Sequence, residues 1–152
     1  MNFAYVLAAV VVILDQASKF YIDATPALWD RTIIPGFFHL TYVKNTGMAW
    51  SLLSGQQGLL SLVAAVAIGV MVWYLVNKKP GKWISFALGL MIGGALGNML
   101  DRILLGSVRD FLDFYIFGYD FPIFNLADTA LTIGVIMLII AAFLDDRKEK
   151  QA

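Results

Sequence analysis

The chain is dominated by four long apolar stretches, at residues 3–22, 59–76, 84–105 and 126–144. Each approaches the roughly 20 residues that an α-helix needs to cross the hydrocarbon core of a bilayer. The connections at residues 23–57 and 106–125 are long, whereas the one at residues 77–83 is short. The pattern predicts four membrane-spanning helices, with both long connections on the same side of the membrane.

The first long connection differs from the spans in its residue composition. Residues 37–43 are rich in aromatic and β-branched side chains, which favour strands. Asn45 and Gly47 predict a turn because both residue types tolerate positive φ, and residues 48–52 are interpreted as the returning strand. The predicted fold class is an all-α membrane protein with a small β element. We expect a four-helix transmembrane bundle with an extracytoplasmic β-cradle, a small sheet over the helix ends, in one integral membrane domain covering residues 1–152.

Composition restricts the class of protein. Of the 152 residues, 60% are hydrophobic and 14% are charged, against about 25% charged in soluble domains; the mean hydropathy is +0.76. A free soluble chain would expose apolar patches that cause association, and disorder requires low hydrophobicity, so both are excluded. The 11 basic and 11 acidic residues cancel, which leaves no net positive field to attract nucleic acid.

Cysteine is absent and His39 is the only histidine, which excludes thiol chemistry and disfavours a zinc site. We therefore expect no metal and no cofactor. A serine nucleophile beside His39 is also disfavoured, because no G-x-S-x-G motif is present. The first span resembles a signal peptide in position only: it lacks a basic start and an A-x-A site, and Asp15 and Lys19 lie within it. We expect it to be retained.

Basic residues predict the orientation, because they favour the cytoplasmic side. Four spans place both termini on the side of the short loop. That side carries six basic residues, in the loop and the C-terminal tail: Lys78, Lys79, Lys82, Arg147, Lys148 and Lys150. Arg31 and Lys44 lie on the other side, and Lys19, Arg102 and Arg109 lie at or near the outer ends of the spans. The count of six to five is a small excess, so the short lysine-rich loop decides. We expect cytoplasmic termini and extracytoplasmic long connections.

In this orientation, polar side chains from three spans converge near the outer face, and the inner halves of the spans are nearly free of charge. The residues are Asp15, Lys19, Asn98, Asp101, Arg102, Asn125 and Asp128. A charge in the bilayer costs about 2.5–3.5 kcal/mol or more, so such residues usually face the bundle interior and mark function. The convergence predicts a functional site at the outer ends of the helices.

Each of these groups also has a structural interpretation. Asp15 and Lys19 are four residues apart, in the favourable order for an ion pair. Asn98 and Arg102 either point into a cavity or join a buried network in which Asp101 pairs with Arg102 or another partner. Separately, the repeat of Gly89, Gly93 and Gly97 predicts a face for close helix packing.

The start of the fourth span has a similar double interpretation. Asn125 is a good N-cap, and Asp128 in the first turn is favoured by the helix dipole. Asp110 and Asp113, in the segment before it, are either interfacial carboxylates or functional groups. If Asp110 and Asp128 meet, they cannot both ionise easily and will share a proton. One carboxylate then serves as base on water and the other as acid, as in aspartic proteases.

Five motifs resemble, in order, those of the lipoprotein signal peptidases, also called signal peptidase II, a family of bacterial inner-membrane aspartic proteases. They are D-Q-A-S-K at 15–19, N-T-G-M-A-W-S at 45–51, G-G-A-L-G-N-M-L-D-R at 93–102, V-R-D-F at 108–111 and F-N-L-A-D-T at 124–129. One motif alone is weak, whereas five in order around four spans are specific. Met48 and Trp50 depart from the pattern, since many members have Ala and Phe there, but both stay apolar.

The resemblance implies a role for each matching residue. The catalytic acids correspond to Asp110 and Asp128, and Asp113 has no such role. The residues implied to bind substrate or line the site are Asn45, Gly47, Asn98, Arg102 and Asn125. Supporting residues near the site are Asp15, Lys19 and Asp101.

The resemblance also implies the reaction. The substrate is a prolipoprotein with diacylglycerol on a cysteine, and hydrolysis of the bond before that cysteine releases the signal peptide. The implied partners are this substrate and membrane lipid, without nucleic acid, and the chain is expected to be a monomer in the bacterial inner membrane. A transporter or proton relay would instead carry polar residues through the full membrane depth. A passive scaffold would explain the glycine repeat but not the gathered acids.

Overall fold

A computed structural model describes residues 3–47 and 53–149, the last five of them by helical backbone only. This part of the chain forms four α-helices: α1 Phe3–Asp23, α2 Gln57–Lys78, α3 Lys82–Leu105 and α4 Leu126–Glu149. Each contains a segment long and apolar enough to cross a membrane. The predicted fold class, a bundle of four such helices with a small β element, is confirmed.

The helix ends are set by residues that interrupt the helical backbone. Lys79 follows α2 in a left-handed conformation, with φ at 45°, and Pro80 cannot continue the helix. Gly106 ends α3 with φ at 69°, and its N–H donates to the Arg102 carbonyl at 3.1 Å. This left-handed cap turns the chain from α3 directly into the sheet.

The central helix is α3, which contacts each of the other three. Two glycines of the predicted stripe allow α1 to approach closely. A Cβ on Gly93 would lie 2.6 Å from the Cβ of Val11, and one on Gly89 would lie 2.8 Å from the Ala4 carbonyl oxygen. The stripe is therefore a packing surface, as predicted.

Four antiparallel strands form a sheet at the end of the bundle where α1 and α3 finish and α4 begins. In spatial order they are β1 Asp30–Ile34, β2 Phe38–Asn45, β3 Val108–Ile116 and β4 Tyr119–Asp120. Phe38 lies opposite Phe114 and Val43 lies opposite Asp110, with an irregularity between Leu40 and Val43. The sheet thus joins the two long connections and places Asp110 beside the end of β2.

The composition of the sheet differs from the prediction. The strand expected at 37–43 is β2, and the returning strand expected at residues 48–52 lies outside the described residues. The described partners of β2 are β1 and β3, which the sequence pattern did not predict. The first four residues of β3 are all buried, and a strand covered on both faces lacks the alternation that identifies strands in a sequence.

Candidate active site

Asp110 lies on β3 with only 2% of its surface exposed. Its two carboxylate oxygens accept hydrogen bonds from two asparagines on different elements. The Asn125 side-chain amide donates to Oδ1 at 2.6 Å, and the Asn45 amide donates to Oδ2 at 2.9 Å. A buried carboxylate needs such donors to avoid a large desolvation cost.

Asp128 lies in the first turn of α4 and forms a reciprocal cap with Asn125. The Asp128 N–H donates to Asn125 Oδ1 at 2.9 Å, and the Asn125 N–H donates to Asp128 Oδ2 at 3.2 Å. This is a capping box, with asparagine and aspartate in the two roles. The capping interpretation from the sequence is correct. The cap uses only Oδ2 of Asp128, so Oδ1 is left to accept a hydrogen bond from another residue.

That second oxygen of Asp128 accepts a hydrogen bond from the Asn98 side-chain amide at 2.7 Å. The Asn125 amide also donates to Asn98 Oδ1, at 3.1 Å. Asn125, which is fully buried, therefore contacts both aspartates and the asparagine beside them. One rigid set of amides, supplied by β2, α3 and the start of α4, fixes the two carboxylates relative to each other.

Both aspartates line one cavity of about 340 Å³. Asn45, Asn98 and Arg102 complete its polar side. The remaining lining residues are mainly apolar: Val108, Phe121, Pro122, Ile123, Phe124, Leu131 and Thr132. The cavity can hold a polar reacting group against the carboxylates and an apolar group against the apolar lining residues.

The Asp110 carboxyl is poised to titrate near neutrality. Burial, together with the neighbouring Asp128 charge, raises its pKa from 3.8 to about 7. The hydrogen bonds from Asn45 and Asn125 stabilise the carboxylate and act in the opposite direction. Perturbation of this kind in a cavity is a feature of catalytic carboxyls.

Lys19 is fully buried and contacts Asn98, which donates a hydrogen bond to Asp128. Its ammonium lies 2.8 Å from Asp15 Oδ2 and 3.6 Å from Asp101 Oδ2, and it donates to Asn98 Oδ1 at 3.0 Å. Asp15 in turn accepts a hydrogen bond from the Ala127 N–H at 3.0 Å. The predicted ion pair between Asp15 and Lys19 is present. It also connects α1 to α3 and to the first turn of α4, whose N–H groups have no acceptor within the helix.

Asp101 pairs with Arg109, not with Arg102. The Arg109 N–H and Nε donate to Asp101 Oδ2 at 3.0 and 3.1 Å, and Nη2 donates to Oδ1 at 2.8 Å. Gln16 joins them by donating to Asp101 and accepting from Arg109, both at 3.0 Å. The sequence did not single out Arg109 or Gln16. Predicting a strand over residues 108–116 would have been needed to find Arg109, because neighbouring side chains of a strand point to opposite faces. Arg109 would then be expected on the face opposite to that of Asp110.

Arg102 reaches the segment that follows β2. Its Nη2 donates to the Gly47 carbonyl at 3.2 Å, and the Gly47 N–H donates to Asn45 Oδ1 at 2.8 Å, which forms an Asx turn. The buried Arg102 Nε has no hydrogen-bond partner among the described residues. Asn45 and Arg102 therefore line the cavity, and Gly47 is hydrogen-bonded to both of them.

Asp113 is separated from this arrangement. It lies three residues after Asp110 on β3, so the two side chains leave the strand on opposite faces. Asp113 accepts a hydrogen bond from Thr41 Oγ1 at 2.5 Å and does not line the cavity. Of the two acids in this strand, only Asp110 shares a cavity with Asp128.

Comparison with known proteins decides the family. Residues 7–144 match the family model of signal peptidase (SPase) II. The chain belongs to the signal peptidase II family. It is 45% identical to the lipoprotein signal peptidase of Staphylococcus carnosus, over 92% of this chain and 89% of the relative, and 42% identical to that of Staphylococcus aureus, over 95% and 91%.

Two solved structures have the same fold as this signal peptidase II. Both are described as bacterial membrane enzyme structures obtained by the in meso method, at 2.3 and 1.9 Å resolution. The first superposes with a TM-score of 0.92 at 38% identity and covers all of this chain and 94% of the other. The second has a TM-score of 0.84 at 40% identity, with 93% of each chain covered. The enzyme is thus a multi-pass bacterial membrane protease of a family that cleaves the signal peptides of prolipoproteins.

Proposed function

We propose that this signal peptidase II is an aspartic endopeptidase in which Asp110 and Asp128 activate a water molecule. The observation that carries the proposal is that both carboxylates line one cavity while Asn125 hydrogen-bonds to both residues. Among the described residues, no three acidic or histidine side chains are grouped to hold a metal ion. The two carboxyls are therefore the groups available to move protons at this site.

The proposed reaction requires one shared proton. The ionised carboxylate removes a proton from water, and the water oxygen bonds to the scissile carbonyl carbon. The protonated carboxyl gives its proton to the carbonyl oxygen, which produces a neutral tetrahedral diol. The diol then collapses as its C–N bond breaks: the protonated carboxyl gives its proton to the departing nitrogen, and the ionised carboxylate removes a proton from one diol hydroxyl. The products are a peptide acid and a peptide amine, and the pair regains its single proton.

The other cavity residues are proposed to hold the substrate. Arg102 Nε lacks a partner among the described residues and is a donor available to a peptide carbonyl at the polar side of the cavity. Asn45 and Gly47, fixed by Arg102 and the Asx turn, form the adjoining edge. The apolar lining at residues 121–124 is proposed to contact the lipid on the substrate cysteine, and the bond before that cysteine would then lie beside the aspartates.

The first test of this function is direct. The purified enzyme is incubated with a diacylglyceryl-modified precursor, and the products are identified by mass spectrometry. We expect one cut, immediately before the modified cysteine, and no inhibition by chelators or by serine- or cysteine-directed reagents. Complete inhibition by a chelator, with recovery on adding a metal, would contradict the proposed mechanism.

The pH dependence of cleavage follows from the pKa of Asp110. Because the pair needs one proton and the Asp110 pKa is raised to about 7, we expect kcat/KM to fall as the pH rises above about 7. The decline should approach ten-fold per pH unit once deprotonation dominates. Rates measured between pH 5 and 9 with one lipidated precursor check this, and a rate that keeps rising to pH 9 would contradict it.

The ionisation of Asp110 should also affect the stability of the fold. The folded-state pKa of about 7 exceeds the ordinary 3.8, so the folded enzyme binds this proton more tightly than the unfolded chain. Stability is therefore lost as the pH rises through the folded-state pKa, by on the order of 4 kcal/mol. We expect the melting temperature of Asp110→Asn, relative to the unmodified enzyme, to rise between pH 4 and pH 7. A constant difference would show that the Asp110 carboxyl is not perturbed.

We also propose that the chain is a monomeric single domain with cytoplasmic termini and the cavity toward the outer leaflet. The absence of cysteine permits labelling at single positions. Lys79→Cys should react with a membrane-impermeant maleimide only after the cytoplasmic side is opened. Thr32→Cys and Asp120→Cys, at exposed positions of the sheet, should react in intact cells. Labelling of position 79 from outside would reverse the proposed orientation.

A further inference from the structure

The end of the bundle opposite the aspartates carries two cavities that the proposed reaction does not use. One, of about 340 Å³, is lined by residues 81–84, at the start of α3, and by Ile140, Ala141 and Leu144 of α4. The other, of about 490 Å³, is lined by Lys82, Trp83, Phe86 and Met137. Both lie between α3 and α4, and they share Lys82 and Trp83.

Trp83 is the aromatic residue that lines both cavities, and a hydrogen bond holds its ring. Its indole Nε1–H donates to the Met137 carbonyl at 2.9 Å, which ties the start of α3 to α4. The ring is nonetheless about half exposed, at 51%. Two mainly apolar cavities that share one hydrogen-bonded aromatic ring are suited to two hydrocarbon chains of one molecule.

The charge at the mouth of the cavities is positive. Lys82 lines both cavities, and Lys78 and Lys79 lie in the same short connection. None of these lysines takes part in the ion pairs among the described residues. Residues 145–150, at the C-terminal end of α4, contain three acidic and three basic residues, so they leave the net charge of this end positive.

The order of these groups along the membrane normal matches the layers of a leaflet. Lys82 is the first residue of α3, at the membrane surface, whereas Phe86 lies one turn deeper. On the antiparallel α4, Met137 likewise lies deeper than Ile140 and Leu144. Charge is therefore at the level of the headgroups, and apolar lining at the level of the acyl chains.

We propose that this groove is a binding site for one two-chain anionic phospholipid, with its phosphate group on Lys82 and one acyl chain in each cavity. Such a site is separate from the substrate cavity, which lies at the other end of α3 and α4. The lipid would hold the ends of α3 and α4 together on the side of the short lysine-rich connection.

Native mass spectrometry of the full chain, released from detergent with equal amounts of phosphatidylglycerol and phosphatidylcholine of identical chains, tests the site. We expect the first bound lipid to be mainly phosphatidylglycerol. Lys82→Gln should lower the phosphatidylglycerol-to-phosphatidylcholine ratio about five-fold, in line with the contribution of one basic residue at an anionic surface. Lys44→Gln, an equal charge change on β2, should leave the ratio unaltered.

Two further arms separate the site from general surface attraction. Trp83→Ala should reduce retention of both lipids, because it removes the ring that lines both cavities. Glycerol phosphate, which has the headgroup without chains, should not displace the lipid. Equal retention of the two lipids by the unmodified enzyme, an unchanged ratio in Lys82→Gln, or displacement by glycerol phosphate would each overturn the proposal. Continued cleavage of a precursor by Lys82→Gln and Trp83→Ala verifies that both variants are folded.

Discussion

Asp110→Asn and Asp128→Asn are each expected to lower the cleavage rate at least about 10³-fold while the protein still folds and inserts. Asparagine has nearly the same shape as aspartate, but it can neither accept the proton of water nor share a proton with the remaining carboxyl. The double variant should be hardly worse than either single variant, because groups that act as a unit lose their whole contribution when one is removed. Initial rates with a lipidated precursor measure the effect.

Asp113→Asn and Asp120→Asn are the matched controls. Asp113 is buried on the same strand as Asp110, but its side chain points to the opposite face of the sheet. Asp120 is exposed on β4. Both variants should retain substantial activity. An inactive Asp113→Asn variant together with an active Asp110→Asn variant would show that the other acid of β3 is catalytic. Melting temperatures of all four variants separate loss of chemistry from loss of fold.

Removing the lipid from the substrate should have the second largest effect, a loss of at least about 10²-fold in kcat/KM. The polar side of the cavity offers only a few hydrogen bonds to a peptide, whereas each buried CH₂ of an acyl chain contributes about 0.8 kcal/mol. Two acyl chains therefore provide ample energy to hold the scissile bond beside Asp110 and Asp128, even if only part of each chain contacts the enzyme.

The control for this effect is the same precursor before and after modification of its cysteine, in the same detergent and at the same concentration. The signal segment, and therefore its membrane insertion, is then identical in the two samples. Equal rates for both forms would refute the lipid requirement. The proposed catalytic pair would not be affected by that result, since it is tested separately by Asp110→Asn and Asp128→Asn.

The sequence alone was sufficient for the helices and for the general location of the site. Four apolar stretches of bilayer length predict helices, because in lipid every backbone N–H and C=O group must form its hydrogen bond within the segment. The cost of a charge in the bilayer made Asp15, Lys19 and Asp128 conspicuous. The reciprocal cap of Asn125 and Asp128 was also predictable, because capping depends on residues only three positions apart.

The tertiary structure decided which polar groups meet. Pairing of β2 with β3, across 65 positions of sequence between Asn45 and Asp110, brings the Asn45 amide to the Asp110 carboxylate. A strand buried on both faces shows no alternation, so neither this pairing nor the Asp101–Arg109 contact was visible in the sequence. Local spacing determines helices and caps because their partners are near in the chain. Partners of the aspartates come from separate elements, and only packing around α3 brings them together.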